Sequence, residues 1–491
     1  MSSRRKVALI VLVLLAILIV VAVIVVPRLI DVDRYRPQVI ARLEQATGRN
    51  VQIGRLTLAL LPVLSIRVDN FALDNPAGFP AGQFLEIRRL YAGLDGRALL
   101  HRQIAFRSLK LEDPVVSLVS NAQGHWNSEN PSAARFRDTA WQEAPAPAIG
   151  INKVELEHGR VAITSLPASG EARPPAFEAS GVSAELADVN PAVFGVKLAS
   201  APSRNEDELP PATLKVAWTE SVTAGPGGPA EAELHPPGPL AARGSFSAQS
   251  ARFGALTASS IKSGIEIYSG GVLLQKVVLN LCRGRATGNL VWDSAARPAR
   301  YTTQLALDKI DVAQLLAAFP QARGKMTGTL AGTFNLTGSM TPSPDPLAGK
   351  EGAGQLTIRN GQLPTLQLNK NLMMLIKDLV QVGPSSGDPS SFRSISADLE
   401  LGGGQLHSRR ISILGNGVDL DASGTVALAG AGQLNYQGVA RLNAAPGDAS
   451  NMLAGLLGSK IEGGKLNFPF TLTGTLDAPH FAMKPSRGPL P

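Results

Sequence analysis

A chain of 491 residues with 44% hydrophobic side chains can bury a substantial core, which excludes wholesale disorder. Its formal charge of +8 comes from scattered Lys and Arg, and aromatics are only 5%, which excludes the dense basic, base-stacking surface of a nucleic-acid binder. A single cysteine, Cys282 in the strand-like run KVVLNLCRG, excludes an intrachain disulfide and a multi-cysteine metal site, and reads as a small apolar strand residue.

The first predicted element is a membrane span. Arg4, Arg5 and Lys6 precede twenty apolar residues, Val7 to Val26, with no Gly, Pro or charge among them. At about 1.5 Å per residue, a helix of this length covers the roughly 30 Å hydrocarbon core of a bilayer. A cleaved signal has a shorter apolar region ending at a small-x-small site, and VVPRLIDVD supplies none. After the span, Arg28 and Arg34 are mixed with Asp31 and Asp33. The charge asymmetry keeps residues 1–6 in the cytoplasm, makes 7–26 a single-pass anchor and exports the rest.

A short helix is predicted over Val32–Ala46, with Asp33 as cap, Pro37 in the first turn, Val39, Ile40 and Leu43 as the apolar stripe, and Gly48 at the end. One-sided strands then begin: NVQIGRLTLALLP, LSIRVDNFALDNP, IAFRSLKLEDP and VVSLVSN, each read as ending at Pro, Asn or Gly. The clearest alternation lies later, in GVDLDASGTVALAG, where Val418, Leu420, Ala422, Gly424, Val426 and Leu428 share one face. Asp419 and Asp421 point to the other face. Some twenty to twenty-eight such strands would stack to about 100–130 Å.

Residues 127–149 and 199–242 are rich in Pro, Ala, Gly and charge and read as linkers, although ATLKVAWTE within the second reads as a strand. They divide the exported part into an N-terminal β region at 28–126, a middle β region at 150–198 and a C-terminal β domain at 243–485. Further helices are predicted for DVAQLLAAF from Asp311, for NLMMLIKDLVQV from Asn371, and for NMLAGLLGS after Ser450. FNLTGSM at Phe334–Met340 echoes FTLTGTL at Phe470–Leu476, with GRATGNLVW near Gly284 a weaker copy, which suggests strand–turn units added in series.

No phosphate loop, HExxH or nucleophile-elbow motif is present, and the six His lack metal-ligand spacing. GGGQLH at 402–407 lies between strand patterns and reads as a hairpin turn. Carboxylate pairs such as Glu155/Glu157 and Asp419/Asp421 share a strand face without nominating a catalytic centre. The reading is of a non-enzyme without cofactor or metal.

The segment YRPQVIARLEQATGRNVQIGRLTLALLPVLSIRVDNFALDNPAGF, followed by LEIRRL, EDP and GHWN, resembles the AsmA family of bacterial inner-membrane proteins. GQLTIRNGQLPTLQL, DLDASGTVAL and FTLTGTLDAPHF resemble that family's C-terminal domain. The resemblance implies a mainly β fold with a few short helices, in which an N-terminal transmembrane helix precedes an extended periplasmic β-sheet curled into a taco-like groove. It also implies that phospholipid is a partner and the inner membrane the location, with outer-membrane or periplasmic proteins as further partners. On that basis the groove lining is Leu58, Leu60, Ile66, Val68, Val116, Leu118, Val277, Leu279, Leu281, Leu356, Ile358, Ile411, Ile413, Val418, Leu420, Val426 and Leu428.

Two functions follow. In the first, an apolar β groove shelters acyl chains for phospholipid transport and outer-membrane biogenesis. In the alternative, a non-transporting scaffold or assembly factor affects outer-membrane protein or lipopolysaccharide biogenesis through loops 127–149 and 199–242. Alternation alone equally describes a closed sandwich whose dry faces form a core.

Overall fold

The computed structural model describes residues 31–483 apart from 61–62, 101–105, 122–124, 129–148, 167–174, 191–235, 297, 340–348, 365–389, 416–417, 429, 444–459 and 463–464. The expected span at 7–26, the strand ATLKVAWTE, and the helices expected from Asn371 and after Ser450 lie outside the described residues. So does most of both linkers. Among the described residues, no helix is long and apolar enough to cross a membrane.

The described part is mainly β: twenty strands share one sheet, accompanied by three short α-helices. Four antiparallel neighbours start it: β1 (Val51–Ala59), β2 (Ser65–Asp74), β3 (Gln83–Leu94) and β4 (Phe106–Ser120). β4 lies parallel to β5 (Ile149–Ser165), which calls for a crossover in the intervening chain. Antiparallel neighbours then follow in chain order. They are β6 (Phe177–Ala187), β7 (Leu240–Phe253), β8 (Leu256–Tyr268), β9 (Gly271–Leu281), β10 (Gly284–Asp293), β11 (Arg300–Asp311), β12 (Thr329–Ser339) and β13 (Lys350–Gln362). The series continues through β14 (Ser391–Gly402), β15 (Gln405–Gly415), β16 (Val418–Ala427) and β17 (Gln433–Asn443). β17 pairs with β19 (Lys465–Thr475), whose other edge takes the short β18 (Lys460–Glu462) and β20 (Pro479–Met483). Strands flanking each linker pair directly, so the sheet runs unbroken through all three β regions.

The hairpin expected at GGGQLH is present: Gly403 and Gly404, both left-handed with φ 59° and 72°, turn β14 into β15. Other turn residues sit inside strands. Asp113–Pro114, read as a strand end, lies in the middle of β4, with Asp113 at φ 52° and Pro114 buried. Asn70 (φ 52°), Asp113 and His158 (φ 57°) lie in one row across β2 to β5, Arg88 between the first two. Gly181 and Ser260 continue the row in β6 and β8. Left-handed residues inside strands bend the backbone and tighten its right-handed twist. Cys282 is also displaced from its expected place. It begins the β9–β10 turn at φ 45°, half-buried, with its thiol pushed up by burial and then by Asp311.

The N-terminal helix α1 (Arg36–Thr47) ends at left-handed Gly48, as the sequence suggests. Asp33 does not cap it. Its carboxylate accepts the Leu56 N–H at 2.8 Å, Glu44 accepts the Val51 N–H at 3.1 Å, and Arg36 donates to the Gly54 carbonyl. The helix therefore satisfies the free edge of β1 where a further strand would otherwise pair. Its Val39, Ile40 and Leu43 pack on Val51, Ile53 and Leu56. Helix α2 (Gly96–Leu100), which the sequence reading lacks, precedes β4. Helix α3 (Val312–Leu316) is shorter than expected, but Asp311 caps it by accepting from Gln314 N–H.

The register defines two rows of strand ends. One contains Val51, Ser120, Phe253, Thr329 and Lys465, and the other Ala59, Tyr268, Asp293, Lys350 and Thr475. Three contacts join the rows. Trp126, just past β4, meets Trp292 of β10 edge to face, with ring centroids 6.3 Å apart. Lys350 of β13 lies 5.6 Å from the centroid of Phe253 in β7. Lys325, before β12, pairs with Asp477 after β19. In each case one strand end meets the opposite end of the sixth strand along. A flat sheet would hold such strands about 29 Å apart. Accumulated twist of roughly 20–25° per strand, about 120–150° over six, accounts for the reversal of ends.

Candidate functional site

Residues directly opposite each other in paired strands point to the same side of a sheet, so the register sorts faces without ambiguity. Leu58 lies opposite Ile66, and Val68 opposite both Leu56 and Leu90. Val116 lies between Leu85 and Val161, and Leu118 opposite Ile163. Leu281 faces Ala258 and Gly284, Leu279 faces Ala286, and Val277 faces Gly288. Leu356 and Ile358 lead through Ala397 and Ile395 to Ile411 and Ile413, then to Ala422 and Leu420. Val426 lies opposite Leu406, and Val418 shares its face with Leu420. Leu60 and Leu428 fall just beyond β1 and β16, in step with that alternation. The expected lining residues thus belong to one face of one sheet.

That face lacks a second layer among the described residues. Val277, Val418, Leu420 and Val426 are buried, and the other thirteen are half-buried. Its apolar clusters are lateral, made between neighbouring strands. Ala179, Val182, Ala248 and Ile261 form one, and Val426, Leu434 and Tyr436 another. Helix α1 covers the β1 end and α3 covers Ile310 and Leu330. A sandwich core would instead cluster residues from opposed strands and bury them nearly completely.

The same face holds residues the sequence reading missed: Leu290, Leu305, Phe334, Leu399, Leu472 and Phe481, all half-buried and each opposite a residue of this face. Alternation in YTTQLALDKID and in the FNLTGSM echo carried that signal. Glycines deepen the face. A Cβ at Gly352 would stand 2.9 Å from the Phe334 ring, and one at Gly338 would meet the Tyr301 ring.

Polar groups here mostly satisfy one another. The Ser408 and Tyr436 hydroxyls are 3.0 Å apart, and Thr303 donates to the Asn289 carbonyl at 3.0 Å. Burial pushes the Tyr436 and Tyr301 phenols above their ordinary range. The buried indole N–H of Trp292 has no hydrogen-bond partner among the described residues. Such a surface offers non-directional apolar contact and little hydrogen bonding.

The opposite face is wet. Arg89–Glu112, Lys110–Glu157, Lys153–Glu185 and Arg441–Asp421 cross between neighbouring strands, and Lys465 of β19 reaches over β17 to Asp419 of β16. Burial disfavours the Asp421 anion, but hydrogen bonds from Ser412 and Arg441, with the charges of Arg441 and Arg410, hold its carboxyl below the usual range. A shallow depression on this face is lined by Gly54, Arg55, Arg67, Asp69, Asn70, Arg88 and Arg89. Among the described residues, no cluster of His, Cys, Asp and Glu could hold a metal ion.

Comparison with known protein families matches the chain to the AsmA family over residues 1–171 and 242–411. No curated protein and no solved structure matches the chain.

Proposed function

The chain belongs to the AsmA family, and from that premise we propose that it handles phospholipid in the service of outer-membrane biogenesis. The twisted sheet forms a trough. Its apolar face takes acyl chains while head groups remain in water, and residues 7–26 anchor it in the inner membrane with the sheet in the periplasm.

The observation that carries this reading is the exposure of the apolar face. Residues such as Ile66, Val116, Leu356 and Ile413 sit within strands on a continuous apolar stripe yet are only half-buried. Covering them with hydrocarbon supplies about 0.8 kcal/mol per buried CH₂. The absence of directional hydrogen bonds allows chains to slide, which suits a conduit better than a tight receptor. Eighteen lateral strand steps span only ~86 Å, short of the length expected from the sequence, so a partner completes any longer path. The scaffold alternative rests on loops 127–149 and 199–242, and an uncovered apolar face supports it less well.

The test uses the full chain reconstituted with phospholipid carrying a photoactivatable acyl chain. Peptide mapping should place labels on β13, β15 and β16, at residues such as Ile358, Ile413 and Leu420. Labelling confined to the apolar segment at 7–26, or equal on both faces of the sheet, would overturn the proposal.

A further inference from the structure

The three contacts between the rows of strand ends are alike in two ways. Each joins a strand to the opposite end of the sixth strand along, and each is made between side chains: Trp126 with Trp292, Phe253 with Lys350, and Lys325 with Asp477. None of the strand pairs within the sheet links these partners, so no backbone ladder holds the rows together at these points. A ladder would resist separation along its whole length, whereas isolated side-chain contacts yield one by one. Two of the three also depend on a lysine charge, one facing an aromatic ring and the other a carboxylate. Phe253 is 48% exposed, and the Asp477 side chain 68%.

Access from the β1 end is obstructed. Val39, Ile40 and Leu43 of α1 pack directly on the apolar residues Val51, Ile53 and Leu56. Asp33, Arg36 and Glu44 fix that helix to the β1 backbone. An amphiphile reaching the apolar face at this end would have to displace the helix. Along the rows of strand ends, the contacts made among the described residues are between side chains, Trp126 with Trp292, Phe253 with Lys350 and Lys325 with Asp477.

We infer that the two rows of strand ends form a lateral seam, held by the Trp126–Trp292, Phe253–Lys350 and Lys325–Asp477 clasps, which parts to admit a long-chain amphiphile side-on. This rests on the acyl-chain reading of the apolar face. Chains cross the seam first and the head group stays outside, so no polar head is dragged along the apolar lining. The indole N–H of Trp292, buried at one clasp and without a partner among the described residues, is a hydrogen-bond donor placed where the ester region of such a molecule would pass.

The experiment uses the full chain in a Cys282→Ser background, which removes the single native thiol. Lys325→Cys with Asp477→Cys, and separately Phe253→Cys with Lys350→Cys, place cysteines across the seam. Thr329→Cys with Asn467→Cys is the control: the same six-strand separation, but both residues in one row of ends. Because these contacts are made by long side-chain tips, a bis-methanethiosulfonate reagent spanning roughly 10 Å, rather than direct oxidation, should join the two seam pairs through reducible disulfides and leave the control unjoined. Reconstituted protein is then mixed with donor vesicles of phosphatidylethanolamine and phosphatidylglycerol containing a photoactivatable-acyl phospholipid. Labelling of the β15 peptide should slow at least tenfold in the doubly locked protein and recover on reduction. Failure of the seam pairs to join, or equal labelling rates in locked and reduced protein, overturns the seam. If label reaches β15 at equal rates, the acyl-chain reading survives. If the reduced protein never labels on the apolar face, that reading falls and takes the seam with it.

Discussion

The side-chain amide of Asn127 donates to the side-chain carbonyl of Asn75 at 2.7 Å, which ties GHWN to NPAGF across 52 positions of chain. Asn127 is completely buried, and its side-chain amide is engaged at both ends. It donates also to the Ser117 carbonyl, accepts from the Val119 N–H, and sends its own N–H to the Val119 carbonyl. Asn75 in turn donates to the Pro80 carbonyl. The two motifs form one polar knot beside the β3–β4 pair, and the knot fixes the neighbouring Trp126 against Trp292.

Asn127→Ala should therefore be among the most damaging single changes in the N-terminal region. It strands the Val119 N–H, the Ser117 carbonyl and the Asn75 side-chain carbonyl, and a loss of about 2–4 kcal/mol is expected. Urea denaturation followed by fluorescence reads this directly, because Trp126 sits beside the site. A midpoint within error of the parent would show that the knot is dispensable.

Substitutions on the apolar face should divide by burial. Leu420 is 4% exposed and packed, whereas its cross-strand neighbour Ile413 is only half-buried. Leu420→Asn buries an amide without partners and should lower the melting temperature by several degrees. Ile413→Asn should leave the melting temperature nearly unchanged and still cut acyl-chain photolabelling several-fold. Equal labelling of parent and a folded Ile413→Asn protein would count against acyl-chain contact there.

The β1 edge offers a test of a different kind. Asp33→Ala combined with Glu44→Ala frees the N–H groups of Leu56 and Val51. The loss of stability should be modest, about 1 kcal/mol for each of these half-buried hydrogen bonds. The larger effect should be self-association, since the freed groups can template another strand. Analytical ultracentrifugation of the double variant should show dimers or larger species, and a purely monomeric profile would refute the capping role.

Alkaline titration should weaken the fold. Burial first, then a hydrogen bond to Glu266 and its charge, push Tyr268 up to about 12, and Tyr301 and Tyr436 also shift upward. A group with a raised folded pKa contributes stability that is intact below its unfolded value, near 10 for tyrosine, and lost as pH climbs through the folded value. Melting temperature should fall between about pH 10 and 12, and Tyr268→Phe should flatten part of that fall. An unchanged slope in the variant would remove Tyr268 from the account.

The sequence made the faces legible because period-two alternation is local. Val418 to Val426 needed no partner strand to declare which side was dry, and Gly403–Gly404 announced its own turn. The left-handed positions inside strands were not legible. Asp113–Pro114 carries the chemistry of a strand end, and only neighbours on both sides hold it, left-handed, in the middle of a strand. The Asn75–Asn127 bond and the contacts between strand ends were hidden for a different reason. Each depends on where the chain has travelled after dozens of residues, and on twist summed over several strands, neither of which any window of sequence contains. The family resemblance supplied the single open sheet that periodicity left undecided, and the half-buried state of Ile66 or Leu356 became visible only with the layers in place.

The order of pairing also sets how the molecule can change length. From β5 onward almost every strand bonds to its sequence neighbour. Splicing out one complete hairpin would therefore rejoin strands of the correct direction and keep the dry side dry, at a cost of about 10 Å of reach. The contacts between strand ends impose a stricter arithmetic. They recur at an interval of six, so the loss of two strands inside one interval would put Trp126, Phe253 or Lys325 out of phase with its partner. Length is free to vary by hairpins at the ends of the array, while the interior is geared.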